Sequence, residues 1–323
     1  MLPQSFDTRT DAIYKMPRSR TTVCLSDLSA ELIRRQLPSG GWSTLLSSAQ
    51  AALEATCYSV LALGSRATSA RDRAQSFLLN EQNPNGSWPA FAGDDHDGCW
   101  LTSLVAITLR DVVSAIPARL AGLHWLLDSK GKEGDWFWKW KFRTADRHVR
   151  FDPDKFGWPW FPDTVSWVVP TSFAILALRQ LPCSCRGFDL APARVDRGVE
   201  MLLDRACPRG GWNAGNGVVY GYPVAPHPDD TAIALLALHN RPQNRVTEIS
   251  LKYLEETAPT LTAPWSLAWA ILALAAHARP TSPLRQALLS FPDLVQIEDT
   301  STLAMICLAL DHEKTLDKLG AMS

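Results

Sequence analysis

The sequence predicts an all-α protein, an α6–α6 toroid (α/α barrel) of helical hairpins, and three observations carry that prediction. A tryptophan recurs just after a glycine-rich turn, in Gln36-Leu-Pro-Ser-Gly40-Gly-Trp42, Gln82-Asn-Pro-Asn-Gly86-Ser-Trp88, Lys130-Gly-Lys-Glu-Gly134-Asp-Trp136 and Ala206-Cys-Pro-Arg-Gly210-Gly-Trp212. Behind these turns come apolar segments built on one pattern: TCYSVLAL (56–63), TSLVAITL (102–109), TSFAILAL (171–178), TAIALLAL (231–238), LAWAILAL (267–274) and LAMICLAL (303–310). Ahead of them run amphipathic segments, among them LSDLSAELIRRQ, ARDRAQSFLLNEQ, ARLAGLHWLLDS, ARVDRGVEMLLDRA, VTEISLKYLEE and PLRQALLSF. Self-similarity at this period marks a repeat architecture.

Each element has a physical reason. The amphipathic segments carry charge on one face and leucine on the other, as half-exposed helices of an outer ring do. The Ala/Leu segments are apolar all round and must be buried all round, which makes them the inner ring. In the turns, glycine reverses the chain and tryptophan covers the preceding helix with its indole N–H bonded, a structural role expected for Trp42, Trp88, Trp136 and Trp212. Parallel inner helices gather their N-termini at one rim, where the summed dipoles favour carboxylates and anionic ligands.

The repeat is interrupted at residues 129–169. Trp136, Trp138 and Trp140 alternate there with other residues, which predicts a β-hairpin or ordered flap. It serves as a cap on one mouth of the barrel, as a lid, or as a membrane-interface patch. Residues 1–25 form an N-terminal extension, and 26–323 a single toroid domain.

Composition narrows the function classes. Of 323 residues 46% are hydrophobic, enough for a substantial core, and Lys plus Arg (32) nearly balances Asp plus Glu (33), which gives no reason to expect nucleic acid as a partner. The N-terminus lacks the apolar region of a secretory signal, and no run reaches the ~18–20 apolar residues of a spanning helix. Seven scattered cysteines form no disulfide framework. A cytoplasmic protein, with peripheral membrane contact as the alternative, is the expectation.

The QxxxGxW turns at 36–42 and 82–88, with the helices that follow them, resemble the repeats of the squalene–hopene cyclase and protein prenyltransferase superfamily. The resemblance spans about residues 26–310. It implies a toroid with an apolar central cavity suited to isoprenoids. It does not fix the reaction, since the superfamily holds protonation-initiated terpene cyclases, zinc-dependent prenyltransferases and proteins without catalysis.

Two polar clusters precede inner helices. His227-Pro228-Asp229-Asp230-Thr231-Ala232 resembles the Asp-x-Asp-Asp-Thr-Ala motif of class II terpene cyclases. The resemblance puts Asp229 at the proton donor's position and Asp230 at its partner's. His227 replaces the family's first Asp, where it could tune Asp229 by a hydrogen bond or mark loss of the acid function. Paired carboxyls suit the chemistry because their proton affinities split. Both aspartates would also cap the helix in any case. The second cluster, Asp97-Gly98-Cys99-Trp100, resembles the zinc-binding stretch of prenyltransferase β subunits. It implies Asp97 and Cys99 as ligands with a histidine from a later repeat. Pro170 and Asp230 stand where that histidine belongs, and His227 is nearby. The acidic run at 94–97 departs from the spacing of diphosphate–magnesium motifs.

Both resemblances converge on one end of the barrel. The leading expectation is acid-initiated cyclisation of an isoprenoid or other lipophilic small molecule in the central cavity. Trp100, Trp160, Trp167 and Trp265 would face the substrate, and Glu54 and Asp299 would contribute from neighbouring repeats. For Trp265 and Trp269, four residues apart on one helix, core packing is the competing role. No cofactor is needed for the cyclase; zinc or magnesium belongs to the alternatives. Known class II cyclases of this type pair two barrels, so the insertion or a second subunit would close the cavity. The alternatives are a zinc-dependent prenyltransferase-like subunit using Asp97 and Cys99, and a non-catalytic isoprenoid-binding or interaction toroid.

Overall fold

The computed structural model describes residues 24–94, 96–144, 151–181, 185–242 and 244–322. Most of the N-terminal extension lies outside them. Six outer helices, α1 (Leu25–Arg34), α3 (Thr68–Asn80), α5 (Ile116–Asp128), α8 (Ala191–Arg205), α10 (Arg245–Thr257) and α12 (Ser282–Leu289), alternate with six inner ones. The inner helices are α2 (Leu53–Leu63), α4 (Leu101–Thr108), α7 (Val168–Arg179), α9 (Pro228–Leu238), α11 (Pro264–Ala276) and α13 (Thr300–Leu310). Each inner helix packs on the next, and α13 packs back on α2. The ring is sealed by Thr300, whose N–H donates to the Thr44 carbonyl at 2.8 Å, and by Arg35, which reaches the Ile297 and Val295 carbonyls at 2.8 and 3.1 Å. A C-terminal helix, α14 (His312–Leu319), lies against α2, α4, α11 and α13.

The turn motif works through three bonds. The indole N–H of Trp42, Trp88 and Trp212 donates to a carbonyl of the preceding outer helix, that of Leu32, Leu78 and Leu202, at 2.6–2.7 Å. The backbone N–H of the same tryptophans donates to a threonine hydroxyl on the next inner helix, Thr56, Thr102 and Thr231, at 2.9–3.0 Å. Gln36 and Gln82 bond both the glycine of their own turn and the following outer helix, at 2.7–2.8 Å. At Gly210, φ is +95° and a Cβ would sit 2.7 Å from the Ile249 carbonyl oxygen, so only glycine fits.

The third repeat corrects two expectations. Its structural tryptophan is Trp158, not Trp136: Trp158 is 2% exposed, its indole donates to the Leu126 carbonyl at 2.7 Å and its amide to Thr171 at 2.9 Å. Trp136 is 81% exposed. Residues Trp136–Thr144 form a helix, α6, rather than a hairpin strand. Helical spacing pairs Phe137 with Trp140 and Trp138 with Phe142, at centroid distances of 6.3 and 6.0 Å, and puts Lys141 and Arg143 near the negative C-terminal end of the dipole. Residues 145–150 lie outside the described set. The insertion is anchored by buried Glu133, whose carboxylate accepts from the Ser166 N–H at 3.1 Å and faces Arg205 at 3.4 Å. A two-stranded hairpin does form elsewhere, β1 (Val218–Val219) with β2 (Tyr222–Pro223), ahead of α9.

Candidate active site at the N-terminal mouth

The inner-helix threonines that receive the tryptophan amides put the repeats in register. Two residues before Thr56, Thr102, Thr171 and Thr231 stand Glu54, Trp100, Val169 and Asp229. Glu54, Trp100 and Asp229 therefore occupy equivalent places at the mouth of the ring. One turn deeper on α2 and α7, Tyr58 and Phe173 are buried. Trp265 and Trp269 repeat the Glu54/Tyr58 spacing on α11.

The barrel axis is solid at this level. Tyr58, Phe173 and Trp269, from alternate inner helices, meet at the centre, with Trp269 centroids 6.1 Å from Tyr58 and 6.0 Å from Phe173. The open central cavity expected from the sequence is thus filled by aromatic side chains. Beneath them a void of about 10 Å³ remains, and a half-enclosed cavity of about 490 Å³ opens at the far end, beside α14. Large aromatics close a ring that six small residues would leave open. Among the described residues, the buried Ser59 and Ser301 hydroxyls and the Trp269 indole nitrogen, all on inner helices, have no hydrogen-bond partner.

Above this floor the mouth is lined by half-buried tryptophans. Trp160, delivered by the insertion, meets Trp100 edge-on at 5.2 Å, and the Trp160 carbonyl accepts the Trp100 N–H at 3.0 Å. Trp265 packs on Tyr58 at 5.8 Å. Trp167, the residue before α7, lies over Gly215 in the connection to α9. Trp269 is buried in the core, and Trp265 packs against it half-buried.

The carboxyls stand on the same lip. His227 is the N-cap of α9, with Pro228, Asp229 and Asp230 in the first turn. His227 Nδ1 lies 2.8 Å from Asp230 Oδ2, so the imidazole partners Asp230. Burial pushes the Asp230 carboxyl up; the His227 bond pulls it back and neighbouring Asp229 raises it. Across the ring, Glu54 is held at a pKa of about 7, chiefly by burial and then by the charge of Asp299. Asp299 caps α13 through the Thr302 N–H at 2.9 Å. Glu54 and Asp299 form a second pair of carboxyls on this lip, in which Glu54 is the perturbed member.

The other cluster is arranged differently. Cys99 is buried, and both its N–H and its thiol are directed at the Trp88 carbonyl, at 3.1 and 3.6 Å. Asp97 is exposed in the turn. Among the described residues, no three His, Cys, Asp or Glu side chains are grouped to hold a metal ion. Nor is any described helix long and apolar enough to cross a membrane.

The sequence matches no family model and none of the curated proteins. Solved structures do match. A GH76 α-mannanase from Bacteroides thetaiotaomicron aligns with a TM-score of 0.62 at 11% identity, over 92% of this chain and 98% of its own. A type II terpene cyclase from Scytonema, MstE, aligns at 0.55 with 14% identity, over 90% of this chain and 96% of its own. A protein from Actinoplanes aligns at 0.58 with 16% identity, over 89% and 98%. The fold is an α/α toroid. At these identities the likeness extends to the fold alone.

Proposed function

We propose that this protein is a type II terpene cyclase-like enzyme that starts cyclisation of an isoprenoid by protonation at the N-terminal mouth. The observation that carries the reading is the shared lip: Asp229 and Glu54 stand in the same helical register as Trp100, above an aromatic floor. Asp229 gives its proton to a carbon–carbon double bond, and the resulting cation closes rings against the faces of Trp100, Trp160, Trp167 and Trp265. Loss of a proton from the final cation restores a double bond, so the product is an isomer of the substrate. Asp230, held by His227, keeps a second carboxyl beside the donor. The step calls for no metal. MstE, a type II cyclase whose chain aligns over nearly its whole length, supports the idea that one barrel suffices.

Glycoside hydrolysis is the second reading. The α-mannanase aligns at a higher TM-score than the cyclase, and Glu54 beside Asp299 offers a carboxyl pair with one member protonated near neutrality. The test is a side-by-side assay of the protein and Asp229→Asn with farnesyl, geranylgeranyl and squalene-type substrates, without metal and then with Zn²⁺ or Mg²⁺. Mass spectrometry should find a cyclised isomer of unchanged mass that the variant does not make. Full activity in Asp229→Asn would sink the assignment of the donor. Release of sugars from mannan or glucan oligomers, with no terpenoid product, would replace the reading by hydrolysis. Product formed only with Zn²⁺ and lost in Cys99→Ala would move it to prenyl transfer.

A further inference from the structure

The described parts of the connections that enter α2, α4, α7 and α9 lie at the mouth end of these helices, and each exposes large apolar side chains. Leu46, Phe91, Phe161 and Tyr222 are 45%, 39%, 47% and 76% exposed. The largest contribution comes from α6, where Trp136 and Trp140 stand one turn apart at 81% and 59% exposure, with Phe137 between them. Scattered single apolar residues need no account, but tryptophans on one helix within an apolar face mark a contact surface.

The charges beside this patch indicate what it meets. Lys132 and Lys141 bracket the Trp138 ring at 4.9 and 4.5 Å. Lys139 and Arg143 share a single carboxylate, Asp154. Basic groups around exposed tryptophan suit a bilayer surface, where indole rings settle at headgroup level and ammonium groups meet anionic lipid. We propose that the mouth face docks on an anionic lipid bilayer, with Trp136, Phe137 and Trp140 of α6 seated among the headgroups. Docking there would bring the tryptophan-lined mouth to a membrane-dissolved substrate. The contact itself does not depend on which reaction the mouth performs.

Flotation of the full chain with phosphatidylcholine vesicles, with and without phosphatidylserine, tests this. The protein should float with the phosphatidylserine vesicles, with a blue shift of its tryptophan emission, and high salt should weaken the binding. Trp136→Ser/Trp140→Ser should lose at least about tenfold in vesicle affinity while its melting temperature and its turnover of detergent-dispersed substrate stay unchanged. Lys132→Glu/Lys141→Glu should lose only the preference for phosphatidylserine. No binding to either vesicle overturns the proposal. So does a protein that is dimeric in solution and becomes monomeric in the tryptophan variant, which would assign the patch to a second copy. Vesicle binding without any catalysis would remove the cyclase reading and leave the docking intact.

Discussion

Replacing Glu54 with Gln tests the electrostatics of the mouth without changing its shape. Unfolded, this carboxyl titrates near 4.5; folded, it titrates near 7. The folded chain therefore binds the proton more tightly. That stabilisation is full below pH 4.5 and is lost as the pH rises through 7, because the ionised form must exist in a desolvated place next to Asp299. At 1.36 kcal/mol per pH unit the difference is about 3 kcal/mol. The side chain is partly open to solvent, and screening brings this to about 2 kcal/mol. Glutamine cannot ionise, so the variant should match the parent near pH 4 and gain on it steadily up to about pH 8. Urea denaturation of both proteins across this range is the assay, and at high pH the variant should also melt about 3 °C higher. A stability difference that does not change with pH would refute the argument.

Further expectations concern the turns, the insertion and the acid pair. Trp158→Phe should destabilise by roughly 2–4 kcal/mol, since it leaves the Leu126 carbonyl unpaired and a void behind it; Trp136→Phe should stay within about 0.5 kcal/mol, and denaturant midpoints will separate the two. Arg205→Met leaves buried Glu133 without its counter-charge and should cost about 3–5 kcal/mol, part of which Glu133→Gln in the same chain should recover. His227→Ala removes the bond that holds the Asp230 carboxyl down, so that group should titrate higher by carbon-detected NMR; because His227 is largely exposed, folding stability should change by less than about 1 kcal/mol.

The ring could be read from the sequence because periodicity alone separates the two helix sets: helices apolar all round had to lie inside those with one charged face. The third repeat misled because Gly134-Asp-Trp136 copies the motif locally. What distinguishes the true tryptophan is its shorter distance to the inner-helix threonine, 14 residues for Trp42 and Trp88, 13 for Trp158 and 19 for Trp212, whereas Trp136 stands 35 residues before Thr171. Alternating tryptophans over 136–140 fit a strand as well as a helix, and pairing between residues three and four apart decided it. The HPDDTA motif stands at the mouth, but no sequence pattern says that the imidazole partners Asp230. Nor does it reveal that the Glu54 carboxyl is pushed up to about 7, which follows from burial beside a residue 245 positions away. The filled lumen was equally hidden, since it depends on three aromatics from alternate helices meeting at one point.

The seal between α13 and α2 affects how the chain can be cut. An open solenoid has two ends that need polar capping repeats; here the first hairpin caps the last. Removing one hairpin breaks two interfaces instead of one, so stability should not scale with the number of repeats, and partial rings should not persist. A circular permutant opened in the short turn between α2 and α3, with a linker joining the original ends, would keep every helix–helix contact of the ring. Its folding, set against that of a chain lacking α12–α14, would separate closure from connectivity as the source of cooperativity.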